Sequence, residues 1–77
     1  MSKIDWIPQV MGFSTKMLIR MNKKESEGYG GFEDIPEAEY LRRIIKNASE
    51  GNYIDAANLC MLAFMVKKER ERNEYIK

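Results

Sequence analysis

Two polar side chains open the most apolar stretch of this chain, and their spacing is the first hint of chemistry. Asp55 and Asn58 stand three residues apart at the head of Ala56-Ala-Asn-Leu-Cys-Met-Leu-Ala-Phe-Met-Val66. On a helix, positions i and i+3 occupy neighbouring turns of one face, so a carboxylate and a carboxamide would point the same way. They form a candidate metal or substrate site, in which the carboxylate holds Mg²⁺ and the carboxamide orients a water or a substrate. The same residues also have an architectural reading. An acid suits the positive start of a helix, and a buried asparagine fixes helix register through its hydrogen bonds.

Cations supply a second constellation. Lys16, Arg20, Lys23 and Lys24 recur at helical spacing early in the chain, and Arg42, Arg43 and Lys46 follow in the middle. Such groups can grip phosphates, and Lys24, Tyr29 and Arg43 are the candidate nucleotide contacts, with Tyr29 as a stacking surface among glycines. A solvated face is the simpler reading of the cations. Between Glu25 and Glu39 lie six of the chain's 12 acids and no base, and the net charge is +1. No field of one sign therefore recruits nucleic acid or an anionic membrane.

Several chemistries are excluded or weak. The absence of histidine removes the usual His/Cys zinc sites, histidine bases and histidine pH switches. Gly28-Tyr-Gly-Gly31 has neither the spacing nor the preceding strand of a phosphate-binding loop. Trp6 and Phe32 seal a small core more readily than they stack on a base. The acids Glu33, Asp34, Glu37 and Glu39 could rebuild a metal site beside Asp55 only by folding inward, and nothing in their spacing demands it.

Three helices must position these groups. The first is expected over about residues 8–26, with Pro8 in its first turn. Ile7, Val10, Met11, Met17, Leu18 and Met21 share one broad face, and Gly12 either weakens the helix or permits a close crossing. The second is expected over about 35–49, with Asp34 as its cap, Glu37 in the capping-box position, and Leu41, Ile44, Ile45 and Ala48 on one face. Gly51 closes it and Asn52 opens the third helix, about 52–73, in a tight helical hairpin. The tail Lys67-Lys-Glu-Arg-Glu-Arg-Asn-Glu74 alternates charge like a solvated helix end. No segment alternates well enough to be a strand.

Ala56–Val66 is apolar all round apart from Asn58, and such a helix must be buried all round. A single 77-residue domain, residues 1–77, has little to bury it with. The expected architecture is all-α: a three-helix chain assembling into a symmetric helical-bundle dimer or tetramer, with Leu59, Met61, Leu62 and Met65 at the interface. Cys60 reads as a small core hydrophobe, and a lone cysteine favours a reducing, cytoplasmic setting. Met1–Pro8 carries Lys3 and Asp5 with no apolar run behind them, so no leader is expected. The apolar run is roughly 16 Å of helix, about half a bilayer core, so no membrane span is expected either.

The order of features resembles the all-α MazG-like nucleotide pyrophosphohydrolases over about Met17–Met65. The matching elements are Met17-Leu-Ile-Arg-Met-Asn-Lys-Lys24, Gly30-Gly-Phe-Glu-Asp34, Tyr40-Leu-Arg-Arg43 and Asp55-Ala-Ala-Asn-Leu-Cys-Met61. The resemblance implies a Mg²⁺-dependent enzyme that holds its metal with a Glu-x-x-Glu pair on one helix and a Glu-x-x-Asp pair on the next. Here the second pair reads Asn52-Tyr-Ile-Asp55, and Tyr40–Ser49 contains no acid. The expected function is therefore a non-catalytic oligomerising or interaction protein of this descent, without a cofactor, its partners being itself and either a nucleotide or another protein. One alternative is an active enzyme using Mg²⁺, Asp55 and connector acids. Ala48-Ser-Glu-Gly-Asn-Tyr-Ile-Asp-Ala56 also resembles the turn of tetratricopeptide or MIT hairpins, so an unrelated helical protein-binding regulator is the other alternative.

Overall fold

In a computed structural model, which describes residues 5–76 and the side chains of 5–72, the chain is three α-helices and one 3₁₀ turn. The expected absence of a leader rests on Met1–Pro8, of which residues 1–4 lie outside the described residues. Helix α1 spans Trp6–Ser26, α2 spans Glu37–Ser49 and α3 spans Tyr53–Ile76, with the 3₁₀ turn at Phe32–Asp34. No strand occurs among the described residues, and no helix is long and apolar enough to cross a membrane.

Local chemistry sets each boundary. Asp5 caps α1 by accepting from the Ile7 N–H at 3.2 Å, so the helix begins two residues before Pro8. Pro8 stays in the first turn, where its missing N–H has no helical partner to lose. Asp34 does not cap α2, contrary to expectation; it ends the 3₁₀ turn, and no side chain caps α2. The cause is Pro36, which forces Ile35 into extended backbone (φ −81°, ψ 125°) and delays the helix until Glu37.

Both interhelical turns close with the same device. After α1, Tyr29 N–H donates to the Lys24 carbonyl at 3.0 Å and Gly28 N–H to Glu25 at 3.0 Å. After α2, Asn52 N–H reaches Asn47 at 2.8 Å and Gly51 N–H reaches Ala48 at 3.1 Å. These are Schellman pairs, and each requires a left-handed residue, supplied by Gly28 (φ +83°) and Gly51 (φ +81°).

Packing is lopsided. α3 lies chiefly along α2 and crosses α1 over a shorter contact. Tyr40, Leu59 and Leu62 form the core, flanked by Met21, Phe32, Ile35, Ile44, Met61, Ala63 and Val66. Within one chain the apolar run of α3 is thus covered on one side only. Leu59 and Leu62 are consumed inside the chain, Met61 packs against the same core, and Met65 is exposed. Cys60 is also exposed rather than in the core, because it lies on the back of α3 with Tyr53 and Phe64.

Gly12 meets nothing within 4 Å of a would-be Cβ, so no element crosses α1 there. Alanine should therefore have opposite effects at two glycines. Gly12→Ala should stabilise the chain by about 0.5–1 kcal/mol through helix propensity. Gly51→Ala should destabilise it by about 1–2 kcal/mol through left-handed strain. Urea unfolding of the two variants measures both signs.

Candidate functional site

The head of α3 meets the middle of α1 through charge. Arg20 and Lys24, four apart and hence on one face of α1, both reach Asp55. Arg20 Nε donates to Asp55 Oδ1 at 3.0 Å, and Lys24 Nζ lies 3.7 Å from the same oxygen. The Schellman turn after α1 folds Tyr29 back beneath Lys24, whose ammonium sits 5.0 Å from the ring centroid. Tyr29 in turn lies 5.5 Å from the Phe32 ring, tilted by 37°.

Asn58 sits one turn further along α3, 2% exposed, and donates from Nδ2 to the Met17 carbonyl at 3.2 Å. Its Oδ1 is buried and has no partner. Asp55 and Asn58 therefore address the same helix, one by charge and the other by a hydrogen bond. The pair joins α3 to α1.

The connector acids do not converge on Asp55. Glu39 belongs to α2, where it accepts from Arg42 Nε and Arg43 Nε, each at 2.9 Å. The Arg42 hydrogen bonds, followed by that of Arg43, hold its carboxyl well below the ordinary value of 4.5, at about 2. Glu37 faces Lys67 at 4.0 Å. Glu33 contributes its carbonyl, which with that of Ile35 accepts from Arg70 Nη2 at 3.1 and 2.9 Å. Among the described residues no three His, Cys, Asp or Glu side chains converge to hold an ion.

A Mg²⁺ site of the kind the MazG-like resemblance implies does not fit these residues. Of the acids that the resemblance would require, Asp55 stands alone at the head of α3, and its negative charge is already met by two cations. A divalent ion there would face Arg20 and Lys24 at close range. Of the candidate nucleotide contacts, Lys24 and Tyr29 are brought together, whereas Arg43 is paired with Glu39.

Sequence reasoning missed two residues that organise this region. Tyr40, 1% exposed, donates its hydroxyl to the Phe32 carbonyl at 2.6 Å and so pins the connector to α2. Burial pushes its pKa up, consistent with a hydroxyl kept as a donor. Arg70 grips the connector from α3, so the charged tail is not simply solvated. A tyrosine four residues after a proline and an arginine amid alternating charges carry no distinctive pattern in the sequence.

No family model, curated protein or solved structure matches the chain.

Asp55→Ala should cost on the order of 1 kcal/mol or less, because the pair is only part-buried and partly screened; chemical unfolding at low and high salt should show the loss shrinking as salt rises. Glu39 has a distinct acid signature. Because its carboxyl is depressed in the folded chain, its stabilising contribution is present above about pH 4.5 and is lost as pH falls toward about 2. Melting temperature followed across that window should fall less steeply for Glu39→Gln than for the native chain.

Proposed function

We propose that this chain is a non-catalytic helical protein that assembles with itself, a shortened relative of the MazG-like pyrophosphohydrolases. The carrying observation is the state of Asp55. The carboxylate that the resemblance assigns to metal is committed to Arg20 and Lys24, and its role is to dock α3 on α1. Family descent rests on the order of four sequence elements; loss of the reaction rests on the missing acids.

Self-assembly is supported by what one chain leaves uncovered. Trp6, Ile7, Val10, Met11, Leu18 and Ile19 on α1 are all more than half exposed, as are Leu41 and Ile45 on α2 and Phe64 and Met65 on α3. Apolar surface of that extent is a feature of interaction sites rather than of solitary domains. Retained nucleotide affinity would run through Lys24 and Tyr29, with phosphate drawing the ammonium away from Asp55.

Incubation with Mg²⁺ and each common ribo- or deoxyribonucleoside triphosphate should release no pyrophosphate above the protein-free rate. Sustained Mg²⁺-dependent release that Asp55→Asn abolishes would overturn the non-catalytic assignment.

A further inference from the structure

Helix α1 has no buried residue along its 21 positions. A helix of that length gains most of its stability from packing rather than from propensity, so a face without cover calls for a partner. Ile7, Met11, Ser14, Leu18 and Met21 follow one another at steps of four, three, four and three. That is a heptad seam, apolar at every position but its middle one. Ile7, Met11 and Leu18 are 54%, 66% and 61% exposed.

The seam runs into a groove of about 390 Å³ between α1 and α3, lined by Ser14, Met17, Leu18, Met21, Asn58 and Met61. Four of its six lining side chains are apolar, and the unpartnered Oδ1 of Asn58 is buried rather than open to it. That lining suits an apolar occupant.

We infer that the occupant is α1 of a second copy, packed antiparallel about a two-fold axis at Ser14. This deepens the self-assembly proposed above and rests on it. An antiparallel seam centred on Ser14 sets Ile7 against the second copy's Met21 and Met11 against its Leu18, so one stripe serves both sides, as an isologous interface requires. The small serine at the centre lets the backbones approach. Its hydroxyl donates to its own Val10 carbonyl at 2.8 Å, so no unpaired polar group is brought to the axis.

Area favours a copy of this chain. One chain exposes 6469 Å², whereas a compact 9.0 kDa monomer exposes about 4,900 Å². The excess is roughly 1,600 Å², within the range that each partner of an obligate dimer covers.

Sedimentation of the full chain tests both the assembly and its surface. The native chain should be a dimer, and Leu18→Glu should give helical single chains by circular dichroism while Phe64→Glu, on the back of α3, remains dimeric. A dimer that survives Leu18→Glu but is dispersed by Phe64→Glu overturns the α1 seam and leaves self-assembly standing. A native chain that sediments as a folded single copy overturns both. The register has its own readout: in a Cys60→Ser background, Ser14→Cys should cross-link on mild oxidation and Gly12→Cys, on the far side of α1, should not. Equal cross-linking of the two removes the two-fold axis from Ser14.

Discussion

A shortage of cover governs this structure. The chain has 44% hydrophobic residues, yet among the described residues the only apolar side chains it buries are Tyr40, Ala56, Leu59 and Leu62. Small domains bury a smaller share of their surface than large ones, and three helices in a line of contacts do worse than three in a closed bundle. The molecule measures 50 × 30 × 23 Å with a radius of gyration of 14.8 Å, against about 11.5 Å for a compact chain of this length. α3 serves as the shared wall, with α2 along it and α1 across it. Each outer helix keeps a face for something else.

The polar contacts make sense against that deficit. Hydrophobic burial does not specify one angle between α1 and α3, so directional interactions are needed where they cross. Arg20 and Lys24 meet Asp55, while the Asn58 amide meets the Met17 carbonyl. The glycine-rich connector is fixed in the same manner, by the Tyr40 hydroxyl from α2 and Arg70 from α3. Exposed ion pairs contribute little energy, but hydrogen bonds with fixed donors and acceptors select geometry. A carboxylate used in this way is poorly available for catalysis, since each cation that orients it also repels a metal.

What the sequence revealed divides along physical lines. Helix number, the all-α class and the hairpin at Gly51 follow from periodicity and turn residues, which are local. The start of α2 was misplaced because Asp34 satisfies the composition of a cap, whereas Pro36 decides the backbone. The tertiary role of α3 was only half legible. An apolar residue on a helix announces burial without saying by what, so Leu59 and Leu62 could not be told apart from Phe64 and Met65. Asp55 and Asn58 stood out by type and spacing, but their partners lie 35 and 41 residues away, beyond the reach of any pattern.

Asn58 joins the two halves of the problem. Replacing it by an apolar residue of similar size would remove an unsatisfied acceptor and lose one hydrogen bond, a change that need not destabilise an isolated chain. Asn58 Nδ2 is spent on the intrachain crossing with α1, while its Oδ1 is buried and unpartnered. One side chain therefore fixes the angle between α1 and α3. Polar groups at otherwise apolar seams do this in coiled coils, lowering stability to exclude other pairings.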